Sequence, residues 1–530
     1  MLATLRRFPA TFYVANTMEI FERMAWYGFY TLAGLYLTGS VASGGLGLTD
    51  VQRGVITGVI PFLLYLFPVV TGAFADKFGF KRTFFLAYLV MTPCYFLLGQ
   101  ARGFWSFFFL FLLVAVGAAL FKPVVTGTVA RVTTEETKAL GFGIFYMIVN
   151  VGGFLGPLVA TVIRGWGWNW VFVMSSVWIG LNFIPLLLLY REPSHGAADE
   201  VMVMGERVKR FLVDMMNVLG NLRFFVFAFG ILFLLMLAGG DWIAWRSFFL
   251  SSALWVVLNL AVDAATRNKA KRLETEGVKH VFWWGPMKIG DWRFGLYLLI
   301  LSGFWTEFNQ IFLTMPLYIR DYTDTVVIQN GVRSFLDAIP LVGDGLAGLW
   351  NSILPYFLEN GQIKPENLIN LDALAIVFGQ VAISAFFAKR KPFTTMILGT
   401  LITGVSMLLG IGSSMGWICV IAIVVFAVGE MMASPKSQEY VARIAPPEKA
   451  AGYMGYYFVT IALGNLFGGL LSGQAYGYFA NPETGIGRPD IMWMIFALIA
   501  VATAAALFLF NRYLAPEEMG DKNHKSASAG

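Results

Sequence analysis

Six ionisable side chains stand inside apolar runs of this sequence: Glu19, Glu22 and Arg23 between Phe12 and Thr38, then Lys122, Glu307 and Glu430. Even on a lenient insertion scale such a group costs about 2.5–3.5 kcal/mol at the centre of a bilayer, so it turns inward to partners or water. The chemistry open to these residues is reversible: proton uptake by carboxylates, and exchange of one ion-pair partner for another. Four carboxylates against two cations leave the core short of positive charge, so it should bind protons or a cation. On a helix turning about 100° per residue, positions 19, 22, 23, 26, 27 and 30 fall on one stripe, placing the charges beside Trp26, Tyr27 and Tyr30. Lys122 and Glu22 lie at similar depths along their runs, and at about 1.5 Å per residue they can pair. Glu307 and Glu430 have no cation in their half of the chain, and a substrate ammonium would suit Glu430.

The elements that must position these residues are membrane spans. The 530 residues are 58% hydrophobic and 13% charged, with a mean hydropathy of +0.68, so length counts crossings rather than soluble domains. At about 20 apolar residues per crossing, spans are expected near 12–38, 50–75, 83–100, 105–129, 139–163 and 169–190. Two more lie near 223–240 and 244–263, and six near 292–319, 369–388, 392–411, 415–434, 450–474 and 489–512. The chain reads as an all-α polytopic membrane protein of 14 spans, arranged as six, two and six. With the N-terminus inside, only eight of the 38 Lys and Arg face outward (Arg53, Arg102, Arg164, Arg246, Arg320, Arg333, Lys364 and Arg488), which fits the positive-inside bias. The first run is too long for a signal peptide and reads as a retained span.

The organisation follows: a first six-helix unit (1–190), connectors with two additional helices (191–291), a second six-helix unit (292–512) and a disordered tail (513–530). Segment 320–368 is long and outward-facing, and its apolar residues recur at helical spacing between Pro340, Pro355 and several glycines. One or two short amphipathic helices on the outer surface are expected there, in a packed loop without a part in binding. The charged loop "DKFGFKR" at 76–82 has a counterpart, "AKRKP", in the second half, as in transporters built from two related halves. Cys94 and Cys419 sit in apolar runs, so neither disulfide nor metal cluster is expected. The net charge of +6 is assigned to inner loops rather than to nucleic-acid binding. His195, His280 and His524 lie in loops or the tail. Gly152, Gly153 and Gly156 beside Pro157 point to close helix packing. No nucleophile elbow or phosphate-cradling loop occurs in context, so an enzyme is not expected.

The string "EIFER" at Glu19–Arg23, followed by Trp26, Tyr27 and Gly28, resembles the ExxER motif of the proton-dependent oligopeptide transporter family. "ADKFGFKR" from Ala75, "LFKP" from Leu120, "FYMIVNVGGFLGP" from Phe145, "GEMMASP" from Gly429 and "YFVTIALGN" from Tyr457 resemble that family's motifs in the same order. The resemblance implies a major facilitator fold of two six-helix bundles with two extra helices between them. It implies import of di- and tripeptides by alternating access, with protons as coupling ion and no cofactor. Carried over, Glu19, Glu22, Arg23 and Lys122 become the coupling network, with Glu307 as a further proton-coupling candidate. Tyr27, Tyr65, Asn150, Asn370 and Glu430 become the substrate site, with Tyr30 and Asn309 as further substrate-binding candidates.

Two positions depart from the family pattern. Tyr30 stands where a second arginine is common, and Asn309, before Gln310, where a glutamate is frequent. Glu307 is turned about 200° away from Asn309 on a helix and does not substitute for it. Three readings follow: a peptide symporter, the same fold carrying another small substrate, and a receptor-like protein docking through 320–368. The resemblance further implies a monomer in the bacterial inner membrane, contacting substrate, protons and lipid, with both termini cytoplasmic.

Overall fold

The computed structural model describes residues 7–68, 71, 75, 78–134, 137–193, 222–275, 287, 292–339, 343–387, 389–445 and 450–515. Most of the expected connectors 191–222 and 264–291 beyond the helices, and the tail after Ala515, lie outside them.

The first group of helices comprises α1 (Ala10–Thr38), α2 (Asp50–Leu66), α3 (Phe80–Leu98), α4 (Phe104–Val132), α5 (Lys138–Arg164) and α6 (Trp168–Leu188, broken at Asn182). A peripheral pair follows, α7 (Leu222–Gly239) and α8 (Trp245–Thr275). Next comes α9 (Trp292–Tyr322), in three helical pieces interrupted at Asn309 and Thr314. Between α9 and the next long helix lie α10 (Val326–Asp337), α11 (Gly343–Phe357) and a two-residue hairpin, β1 (Leu358–Glu359) with β2 (Gln362–Ile363). The remaining helices are α12 (Pro365–Phe387), α13 (Pro392–Gly410), α14 (Gly416–Ile444), α15 (Ala450–Ala475) and α16 (Pro489–Tyr513).

Among the described residues ten helices are long and apolar enough to cross a membrane. The other four predicted crossings are helical as well. α1 carries Glu19, Glu22 and Arg23, α3 begins with Lys81 and Arg82, and α2 and the apolar part of α7 have 17 residues each. Local signals set the ends. Thr49 caps α2 by accepting from Gln52 N at 3.2 Å while Gln52 Oε1 accepts from Thr49 N at 3.0 Å, a capping box. Gly79 turns the chain into α3 at φ +87°, where a side chain would be strained, and the Phe80 N–H donates to Glu192 at 2.5 Å.

Packing is asymmetric from one end of the molecule to the other. At the Asp50 end one apolar cluster joins Leu32, Leu35, Ala160 and Val171 of the first group to Leu317, Ile328, Leu368 and Trp493 of the second. At the opposite end Phe294, Tyr297, Tyr440, Tyr457 and Phe510 form a cluster confined to the second group. The two groups therefore close together at the Asp50 end. Along that closure α2 and α15 meet backbone to backbone: a Cβ on Gly54 would fall 2.6 Å from Gly469 O, and one on Gly58 2.9 Å from Leu466 O. Within the first group Gly156 packs the same way, its added Cβ 2.7 Å from Met24 O, which is the close packing expected of that glycine.

The α10 and α11 helices answer to the amphipathic helices expected in 320–368, and the hairpin after them is tied down rather than loose. Gln362 Oε1 accepts from the Thr325 N–H at 2.7 Å, and the Ile363 N–H donates to Thr325 Oγ1 at 2.7 Å.

Candidate functional site

α1 faces the interior with the stripe that its period dictates. Arg23 donates through Nε to Glu22 Oε2 at 2.5 Å and lies 3.2 Å from Glu19 Oε1, all three residues being at most 4% exposed. Gly152 of α5 lets this pair sit close, since a Cβ there would meet Arg23 Cβ at 2.6 Å. One oxygen of each carboxylate, Glu19 Oε2 and Glu22 Oε1, has no hydrogen-bond partner among the described residues. A single guanidinium thus serves two buried carboxylates and leaves each half satisfied, an arrangement that a proton or an incoming cation would complete.

The predicted pairing of Lys122 with that cluster takes a different form. Its ammonium stands 4.8 Å over the Tyr65 ring, beyond ion-pair range of any carboxylate among the described residues. The charge still acts on Glu22 and Glu19 across the gap. Depth along α4 was readable from sequence, but the direction in which the side chain leaves the helix is set by Tyr65 of α2. Arg23 likewise lies 5.8 Å over the Tyr27 ring.

The second group approaches from the other side. Tyr65 stacks on Phe458 of α15 at 6.3 Å, and Tyr27 feels the charge of Glu430 on α14. Asn370 of α12 donates to Phe154 O of α5 at 2.9 Å, bridging the groups. Tyr30 stacks on Trp26 at 5.1 Å, and its buried hydroxyl has no partner among the described residues. These residues form the candidate site. Of the other predicted residues, Asn150 donates to Tyr146 O of its own helix, Asn309 donates to Trp305 O at 2.6 Å, and Glu307 turns toward α13.

Sequence reading missed Asp372. It is 3% exposed on α12, its Oδ1 has no hydrogen-bond partner among the described residues, and its charge acts on Glu430. Ile376, one turn on, packs against Ala427 and Met431, which brings this face of α12 to Glu430. An acid two residues beyond Asn370 in a predicted span was the signal. The second pole therefore has two carboxyls.

Two polar clusters lock the Asp50 end, centred on Arg53 and Arg164, which sequence reading counted among the outward-facing cations. Arg53 is 0% exposed and donates through Nη1 to Leu313 O and Ser472 Oγ, each at 2.9 Å, while its Nε lies 3.4 Å from Asp50 Oδ1. The break in α9 frees the Leu313 carbonyl for this purpose. On the other side Arg164 of α5 grips Glu366 of α12 through Nη1 at 2.9 and 3.0 Å and pairs with Glu359 of the hairpin. Lys364 donates to Thr161 O at 2.8 Å, and burial pushes its ammonium below the usual lysine range.

Spanning helices in two groups, locked together at one end around opposed buried charges, define an integral membrane protein of transporter architecture. The Major Facilitator Superfamily profile matches residues 17–354 and 351–529, and the chain belongs to that superfamily. It is 25% identical to the peptide transporter YePEPT of Yersinia enterocolitica over 86% of each chain. It is also 23% identical to dipeptide and tripeptide permease A of Erwinia pyrifoliae, over 97% of this chain and 96% of the relative. Among solved structures, a POT family transporter in complex with thioalcohol conjugated peptide matches with a TM-score of 0.66 at 17% identity, over 97% of this chain and 100% of that one. A peptide transporter POT in complex with sulfate matches at 0.64 and 19%, over 95% and 94%. These structures establish the fold, and the relatives agree with the resemblance carried by the "EIFER" motif.

Proposed function

We propose that this chain is a proton-coupled symporter that imports di- and tripeptides by alternating access between its two helix groups. The observation that carries the reading is the opposition of poles: Arg23 and Lys122 with their carboxylates on one group, Glu430 and Asp372 on the other. A zwitterion laid between them meets a cation at its carboxylate and an anion at its ammonium. Relatives named as peptide transporters support the substrate class.

In this reading residues 1–190 and 292–512 are the two bundles, 191–291 carries the additional helices, and the Asp50 end faces outward. Both termini are then cytoplasmic, and the locked end is the closed outer gate. The protein acts as a monomer in the bacterial inner membrane, uses protons as its sole coupling ion, and catalyses no reaction. A proton on Glu19 or Glu22 weakens that carboxylate's hold on Arg23, and the freed guanidinium turns to the substrate carboxylate.

Proteoliposomes holding the purified protein should accumulate labelled dialanine under an inward proton gradient. A dipeptide library from which no member is taken up refutes the reading.

A second reading, the same fold with another small substrate, draws on Tyr30 and Asn309. Tyr30 offers a buried hydroxyl where the resemblance leads one to expect an arginine, and Asn309 donates to its own helix. If it is right, Tyr30→Arg fails to improve, or abolishes, transport of the native substrate. The receptor-like reading would use the exposed apolar residues of α10 and α11, such as Phe335 and Leu349, and deleting segment 320–368 without loss of uptake would refute it.

A further inference from the structure

The two halves of the chain repeat one corner, and only the first half fills it. α4 carries "PVVTGTVAR" at Pro123–Arg131, and α14 carries "PKSQEYVAR" at Pro435–Arg443. Phe84 of α3 and Phe393 of α13 hold matching places, packed on Tyr190 after α6 and on Phe510 of α16. Four residues before them stand Phe80 and Lys389. In the first half the Phe80 ring covers Gly127, whose added Cβ would fall 3.0 Å from the ring, and the Arg131 guanidinium lies 4.1 Å over that ring. In the second half Lys389 replaces the ring and Glu439 replaces the glycine, so nothing aromatic covers the place. A cavity of about 300 Å³ is found there instead, lined by Ile383 and Phe387 of α12, Thr395 of α13, and Met431, Met432 and Lys436 of α14 among others.

The cavity is separate from the candidate site. At about 100° per residue, Met431, Met432, Pro435, Lys436 and Glu439 centre about 170° around α14 from Glu430. Thr395 is one turn into α13, so the cavity lies just beneath the loop 389–391. Its walls are mostly apolar and its mouth is basic. Lys436, 8% exposed, stands 2.7 Å from Glu439 Oε2, and Arg443 pairs with the other oxygen of the same carboxylate. Glu439 is thus fully engaged, whereas the Lys436 ammonium has two further protons to give. Lys389, Arg390 and Lys391 are exposed and make no ion pair among the described residues. Five cations face one carboxylate around an apolar cleft.

We propose that this corner binds one anionic phospholipid, with an acyl chain in the cavity against Phe387, Met431 and Met432 and the phosphate held by Lys436 and the loop cations. A free anion would use the mouth and leave the apolar walls uncovered, and a zwitterionic lipid would bring its own ammonium against Lys436. The leaflet, the inner one, rests on the proposed orientation; the binding does not. Met431 also packs on Ile376, one turn from Asp372, so the chain would stand directly behind the helix pair that carries Asp372 and Glu430.

The test uses the full chain, purified in mild detergent and offered equal amounts of dioleoylphosphatidylglycerol and dioleoylphosphatidylcholine, with bound lipid counted by native mass spectrometry. Wild type should retain one phosphatidylglycerol in preference to phosphatidylcholine, and excess glycerol phosphate should not displace it. Lys436→Gln and Lys389→Gln should each lower retention about fivefold. Ile383→Trp fills the cavity with every cation left in place and should abolish retention. Arg82→Gln removes an exposed cation from the loop of the first half, where Phe80 fills the corner, and should change nothing. Equal retention of the two lipids by wild type overturns the inference, as does displacement by glycerol phosphate or a loss with Arg82→Gln as large as with Lys436→Gln. Full retention by an Ile383→Trp protein that melts like wild type overturns it too. Should that variant fail to fold, the exposed-loop variant Lys389→Gln decides, and unchanged retention there counts against the proposal.

Discussion

Replacing Gly469 by alanine adds one methyl group where two backbones touch. The new Cβ would lie 2.4 Å from Gly58 Cα and N, and 2.7 Å from Gly54 O, while ordinary contact begins at 3.4 Å. No flexible side chain stands there to yield, so α2 and α15 must part by the difference, about 1 Å. Overpacking of this kind costs about 1–3 kcal/mol, and it falls only on the conformation in which the helices meet. The equilibrium should therefore move about 5- to 150-fold toward the state open at the Asp50 end. Spin labels on Ser43→Cys and Glu483→Cys, both exposed at that end, would read it as a new long-distance population in double electron–electron resonance. Distances and melting temperature unchanged by Gly469→Ala would refute the reasoning, since they would mean that the two backbones are not in contact.

Other outcomes follow from the same geometry. Arg53→Gln removes a buried cation that ties Asp50 to Leu313 and Ser472, and should cost the closed state about 3–5 kcal/mol, seen with the same label pair. Glu366→Gln leaves Arg164 with Glu359 alone. It should loosen the hairpin by about 1.5–3 kcal/mol, measured as faster hydrogen exchange at residues 358–363. Glu22→Gln should abolish gradient-driven dipeptide uptake and spare part of counterflow, and equal loss of both would make the residue structural.

The helical stripe of Glu19, Glu22 and Arg23 was legible because spacing along one helix fixes which side chains share a face. Lys122 marks the limit of that logic: its depth could be counted in residues, but its azimuth depended on Tyr65 of another helix. Arg53 and Glu366 looked like loop charges because they lie near helix ends, and their full burial comes from α9, α15 and α5, which no local pattern announces. Asp372 was missed for a related reason. Near the edge of an apolar run it passes for an interfacial acid until α14 is placed beside it. The amphipathic helices within 320–368 were readable from periodicity, whereas the clamp that follows them required partners about 200 residues away in the chain.

The glycine contact between α2 and α15 has an electrical consequence. Backbone against backbone leaves no channel in which water could stand, so in the proposed orientation the insulating part of the protein is a thin layer near the outer surface. Below it the open half is wet and sits at nearly the cytoplasmic potential. A membrane voltage then falls mostly across that layer, and an elementary charge crossing it exchanges about 2.3 kcal/mol per 100 mV. Because reopening carries the layer to the other face, the protein moves its electric field past a nearly stationary charge.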